Sequence, residues 1–221
     1  MADLEFFFDP VCPWAWITSR WVTEVQQLRN YEVEWRFISL KMINQDRAED
    51  WYTTEYRAAH LAGLYAHRVC DEVRGWLEGA GWTVQHGNLA VGALYTALGN
   101  AFHGQQRRPE INLDPVAFMA EMLAAAGLPT AVAAHAHDES HDGYIEQETE
   151  LAFSRTGRDV GTPIITFRPG RADEGSFFGP VISAIPRGDA ATRLWDAIEI
   201  IATSSGMSEL KRSNRASPDF G

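Results

Sequence analysis

One stretch near the start limits what this chain can fold into: Asp9-Pro10-Val11-Cys12-Pro13-Trp14-Ala15-Trp16. It follows the apolar run Leu4–Phe8 and precedes an amphipathic segment. The pattern predicts strand, tight loop and helix, with Cys12 at the loop–helix junction. Pro13 suits the first helical position, where the missing amide has no intrahelical partner. A thiol at a helix N-terminus faces free backbone N–H groups and the positive end of the helix dipole, which favour its thiolate, the nucleophilic form. A core cysteine would not need proline directly after it. A dithiol site also needs a second cysteine three residues on, to resolve a mixed disulfide internally. Position 15 is alanine, so either the protein works with one thiol here or the partner has been replaced.

The periodicities extend this junction into a fold. Ile17, Trp21, Val25 and Leu28 lie on one face of a helix spanning 13–29. Tyr31, Val33, Trp35 and Phe37 alternate with Glu32, Glu34 and Arg36, which predicts a second strand. Strand, helix and strand with short links form a βαβ unit whose strands run parallel. From about residue 44 to 157 the pattern is helical: 52–76, 89–102, a helix opened by Asp114-Pro115 and ended by Gly127, a short one after Leu128-Pro129, and 141–156. Strand signals return at Ile164–Phe167 and Ser176–Phe178, joined by a turn-rich hairpin connection. A final helix capped by Asp189 carries Leu194, Ile198 and Ile201 on one face. The polar residues after 204 read as a mobile tail.

This order predicts an α/β thioredoxin-like fold, a four-stranded mixed sheet (βαβ–ββα) with a large all-helical insertion. The expected division is 1–43 and 158–204 for the thioredoxin-like domain, 44–157 for the insertion and 205–221 for the tail. In such a fold Thr162-Pro163, directly before the third strand, is expected to be cis and to face Cys12. The Thr162 backbone can then bind an extended substrate as an added strand edge would.

Charge and composition exclude several classes. The formal net charge of −11 argues against nucleic acid and anionic membrane as partners. No apolar run approaches the roughly 20 residues of a membrane span. The acidic start, Met1 to Glu5, has no basic n-region, so a cytoplasmic location is expected. In that reducing compartment Cys12 and Cys70, the two cysteines, are expected to stay free of a structural disulfide. No glycine-rich dinucleotide fingerprint occurs, so no tightly bound cofactor is expected. His135, His137 and His141, with Asp138, Glu139 and Asp142, have metal-like spacing. They fall in the polar join between two helices, which reads as a solvated face, and no metal is expected.

Six ordered segments carry a resemblance: Phe8-Asp9-Pro10-Val11-Cys12-Pro13-Trp14, Trp16-Ile17-Thr18-Ser19-Arg20-Trp21, Leu94-Tyr95-Thr96-Ala97-Leu98-Gly99-Asn100, Asp159-Val160-Gly161-Thr162-Pro163, Phe177-Phe178-Gly179-Pro180-Val181 and Leu194-Trp195-Asp196. The chain resembles the DsbA-like thioredoxin superfamily, and within it the mycothiol-dependent nitroreductase family. That family reads Cys-Pro-Trp-Cys, so Ala15 is a departure that removes the internal disulfide and leaves the nucleophile. The resemblance implies a cytoplasmic oxidoreductase with mycothiol, or a related small thiol, as cosubstrate and electron donor, acting on disulfide, nitro or other electrophilic small molecules. It implies catalytic roles for Cys12, Pro13, Trp14 and position 15, and a substrate cleft shaped by Trp14, Asn44, Tyr56, Thr162 and Pro163, with Asn100 and His103. Two alternatives remain open at this point. One is a kappa-class-like thiol transferase or isomerase, a class that has serine where this chain has Cys12. The other is a binding module with an idle thiol.

Overall fold

The computed structural model describes residues 2–48, 50–79 and 83–221. Met1, the first residue of the acidic start, lies outside the described residues. The chain forms two compact units. The first holds the chain up to Phe8, Cys12–Arg36 and Leu151–Gly221; the second holds Asp9–Val11 and Phe37–Glu150.

The first unit is built on strand β1 (Leu4–Phe8), helix α1 (Pro13–Arg29) and strand β2 (Val33–Phe37). Strands β3 (Ile164–Phe167) and β4 (Gly175–Phe178) complete a four-stranded sheet in the order β2-β1-β3-β4. Both the β1–β3 and β3–β4 pairs are antiparallel. The register sets Leu4 opposite Phe167 and Phe6 opposite Ile165, so these four share a face. Trp195 of the last helix packs there, 5.2 Å from the Phe167 ring and 5.3 Å from Trp21. The Trp21 indole N–H donates to the Ala191 carbonyl at 2.9 Å, which ties α1 to that helix.

Glu5 breaks the apolar run of β1 and points to the opposite face. It is 5% exposed and meets Arg36 at 3.1 Å and Arg155 at 2.9 Å. Burial pushes its carboxyl above the usual range, and the two guanidinium groups oppose that shift. A strand buried on both faces therefore keeps an acid only because two cations accompany it.

The second unit is helical: α2 (Leu40–Asn44), α3 (Thr54–Gly79), α4 (Val84–Gly99), a π-helical turn (Asn100–Gly104), α5 (Arg108–Ile111), α6 (Pro115–Ala125) and 3₁₀ segments at Thr130–His137 and Glu139–His141. Helix α7 (Asp142–Thr156) runs from this unit into the first, and α8 (Gly188–Thr203) ends the regular structure. Four elements differ from the sequence reading. Helix α4 starts at Val84 rather than at 89, because the Thr83 N–H donates to the His86 ring and closes a cap. Helices α2 and α5 are single turns too short to show a periodicity. The segment after Pro129 is 3₁₀ rather than α-helical. After α8 the chain is irregular and mostly exposed, yet the Asp219 N–H donates to the Ser183 carbonyl at 2.7 Å. Among the described residues no helix is long and apolar enough to cross a membrane.

Candidate active site

Cys12 is the N-cap of α1, with extended backbone angles (φ −79°, ψ 114°) and Pro13 following it. Its sulfur takes the place of the usual capping oxygen and accepts the Ala15 N–H at 3.5 Å. On its other side the thiol donates to the Thr162 carbonyl at 3.4 Å. The sulfur thus sits between one donor and one acceptor, and Cys12 is only 5% exposed. Loss of the proton removes the bond to Thr162 and strengthens the one from Ala15, since charge-assisted hydrogen bonds are the stronger kind. Trp14 is half-buried on the same first turn, whereas the Ala15 methyl is fully buried.

The Thr162–Pro163 peptide is cis. The Thr162 hydroxyl donates to the Phe7 carbonyl at 3.3 Å, anchoring this loop to β1. A second cis peptide, Gly179–Pro180, follows β4. The Gly179 N–H donates to the Pro163 carbonyl at 2.8 Å, and the Pro180 carbonyl accepts the Thr18 hydroxyl of α1 at 2.8 Å. Gly179 has φ 102°, a region that favours glycine. Two proline loops are therefore chained to each other and to α1 around the thiol. Gly179-Pro180 was visible in the sequence as part of a matching segment, with nothing to tell a turn after a strand from a support of the site.

The loop that delivers Cys12, Asp9–Val11, belongs to the helical unit and is gripped there at three points. Asp9 is fully buried, and its two carboxylate oxygens accept the Val11 N–H at 3.0 Å and the Leu40 N–H at 2.7 Å. Gly63 of α3 lies against it: a β-carbon there would stand 2.4 Å from the Asp9 carboxylate. His103 Nε2–H donates to the Pro10 carbonyl at 2.9 Å. Burial pulls the His103 pKa down to about 4, opposed by that hydrogen bond. At neutral pH His103 is thus an uncharged donor that holds the backbone two residues before Cys12.

The remaining candidates take separate positions in the helical unit. The buried Asn44 amide donates to the Leu40 carbonyl of its own helix at 2.9 Å. Tyr56 is 53% exposed and sets its ring against Trp51 and His60. Asn100 and His103 do not share a face. A π turn closes with an i→i+5 bond, here Gln105 N–H to Asn100 O at 2.9 Å, so residues three apart diverge. Asn100 is exposed and lines a cavity of about 500 Å³ with Thr96, Gln105, Arg107 and Glu121, while His103 turns inward. Asp9 and Gly63 were missed in the sequence. Asp9 carried a readable signal, a short acceptor two residues before an amide it can cap; a glycine inside a helix carries little.

Asp9→Asn is expected to cost about 1–3 kcal/mol, because an amide can present an oxygen to only one of the two N–H donors. Thermal unfolding measures the cost, and faster hydrogen exchange at Val11 and Leu40 locates it. Unchanged exchange at both amides would refute the grip assigned to Asp9.

A sheet of this order with a thiol capping the first helix is the DsbA-like thioredoxin fold. Solved structures share the fold: a probable DsbA oxidoreductase from Streptomyces coelicolor is 15% identical at TM-score 0.54, with 96% of this chain and 94% of that chain covered. A 2-hydroxychromene-2-carboxylate isomerase is 14% identical at TM-score 0.54, with 88% of this chain and 92% of that chain covered. Uncharacterized protein Rv2286c of Mycobacterium tuberculosis (strain ATCC 25618 / H37Rv) is 28% identical over 216 residues, 96% of this chain and 82% of that protein. The model of the Rv2466c-like family, mycothiol-dependent nitroreductase Rv2466c, matches residues 11–212, and the chain belongs to that family.

Proposed function

We propose that the protein is a cytoplasmic reductase in which the Cys12 thiolate attacks a disulfide or an electrophilic small molecule and mycothiol supplies the electrons. With a disulfide RSSR, the Cys12 sulfur bonds to one sulfur and expels RS⁻, which takes a proton. The mycothiol thiolate then attacks the mixed disulfide, takes the R–S group and regenerates the Cys12 thiolate. The net exchange is RSSR plus mycothiol to RSH plus the mycothiol–R disulfide. With a nitro compound, two mycothiols become one disulfide, the nitro group becomes nitroso, and one water leaves. Trp14 and the Thr162 backbone would flank the reacting sulfur. His103 would hold the Asp9–Val11 loop.

The observation that carries this reading is the placement of the Cys12 sulfur between the Ala15 N–H and the Thr162 carbonyl. A helix N-terminus favours the thiolate, and a neighbouring backbone carbonyl can register an extended ligand. Cys70 offers an internal contrast. It is completely buried in α3, and burial pushes its thiol up to about 12. At neutral pH its thiolate fraction should be on the order of 10³-fold below that of free cysteine.

Intact-mass measurement after incubation with oxidised mycothiol tests the reading. One mycothiol should add per chain, on Cys12, and none should add to Cys12→Ser. Peptide mapping after iodoacetamide at pH 7 should find Cys12 alkylated and Cys70 spared until the protein is unfolded. Preferential labelling of Cys70 in the native protein, or no adduct at Cys12, would overturn the assignment.

A further inference from the structure

The polar join read from the sequence as a solvated face is organised by a partner from another helix. His135, two residues before the end of the first 3₁₀ segment, and His141, the last residue of the second, turn toward each other, with His135 Nδ1 and His141 Nε2 3.1 Å apart. Glu72 of α3 places one carboxylate oxygen 3.7 Å from each of these nitrogens. Asp138 Oδ2 lies 3.2 Å from His135 Nδ1 and 4.0 Å from His141 Nε2. The other Asp138 oxygen accepts the Ser140 N–H at 3.0 Å. His137 is not part of the group: its ring packs against Tyr65 at 5.3 Å. Glu139 and Asp142 turn instead to Arg68.

Hydrogen bonding alone accounts poorly for this convergence. Asp71 accepts the His141 Nδ1–H at 2.8 Å. A neutral His141 then presents a lone pair at Nε2. With His135 neutral, one proton, on His135 Nδ1, would face three acceptors: His141 Nε2, Glu72 and Asp138. A cation at their centre removes the conflict. Ligands at about 2.0–2.1 Å around a tetrahedral zinc stand roughly 3.3–3.4 Å apart, and the separations of 3.1, 3.7 and 3.7 Å among His135, His141 and Glu72 bracket that spacing. Asp71 supplies the outer carboxylate that metal-bound imidazoles usually have, fixing the tautomer and the ring.

We propose that Glu72, His135 and His141 form a site for a divalent transition metal of the zinc class, clamping α3 to the 3₁₀ link. Two imidazole nitrogens favour such an ion over magnesium or calcium, which prefer all-oxygen cages. All three ligands lie in the helical unit, and the site is structural: it involves neither Cys12 nor the proline loops.

The untagged full-length chain is titrated with ZnCl₂ against a chromophoric chelator, and separately with CoCl₂. One equivalent of Zn²⁺ should bind and raise the unfolding temperature. Co²⁺ should give tetrahedral d–d absorption without a thiolate charge-transfer band. Glu72→Gln and His141→Gln should each weaken binding at least tenfold, and Asp71→Asn about ten- to a hundredfold. Should either ligand variant fail to fold by circular dichroism, His135→Asn replaces it. Cys12→Ser and Cys70→Ser should bind as the parent does. Absence of stoichiometric uptake would overturn the site. So would uptake insensitive to these variants, or uptake lost in Cys12→Ser.

Discussion

Ala15→Cys is expected to convert the single-thiol site into a self-resolving one, shortening the life of any mixed disulfide at Cys12 by at least on the order of 10²-fold. The backbone dictates this. The Ala15 N–H already contacts the Cys12 sulfur, and the side chain at 15 starts one helical turn along from it. A thiol there would be intramolecular, so its effective concentration would exceed any dilute external thiol. Its thiolate would attack the Cys12 sulfur, expel the bound thiol and close a disulfide within the first turn of α1. Two equivalents of mycothiol would then be needed to reopen it. The methyl at 15 is fully buried, so the larger sulfur costs about 1–3 kcal/mol of packing. Stopped-flow release of a fluorescent thiol from the preformed adduct measures the effect. An adduct equally long-lived in both proteins would show that position 15 does not resolve Cys12.

The sequence exposed the site unevenly, for physical reasons. Cys12-Pro13 was legible because nucleophile, cap and proline are adjacent and each restricts the local backbone. Helix α1 was read to the residue, since Pro13 starts it and Asn30, in the left-handed region, ends it. Thr162-Pro163 was legible from its place before a strand. Asp9 and Gly63 were not, because their meaning lies in a contact 54 positions apart in the sequence, and each alone is a common residue. Asn100 and His103 illustrate a related limit: α-helical spacing puts them on one face, and the π turn sets Asn100 outward and His103 inward. The histidines of the polar join were visible as a cluster, but Glu72 arrives from a helix more than 60 positions earlier. Local patterns report local structure, and residues gathered by tertiary packing leave no periodicity.

Acidification from pH 7 to about pH 4.5 is expected to remove up to roughly 3 kcal/mol of stability through His103 alone. Its folded-state pKa is about 4, depressed mainly by burial, against about 6.5 in the unfolded chain. Protons therefore bind the unfolded state more readily. The stabilisation is complete above pH 6.5 and is lost as pH falls toward 4. The hydrogen bond to Pro10 is not what fails, since a protonated imidazole still donates from Nε2. The cost is a charge in a buried place. His60 is shifted the same way, also chiefly by burial. His103→Asn separates the two: less stable at pH 7, it should lose much less further stability between pH 6.5 and 5 than the parent. That window lies above the ordinary carboxylates, so their titration does not mask the difference. Denaturant midpoints at half-unit pH steps measure it, and equal slopes in the two proteins would refute the role. Because His103 grips Pro10, the same acidification should speed hydrogen exchange in Asp9–Val11, the loop that carries the nucleophile.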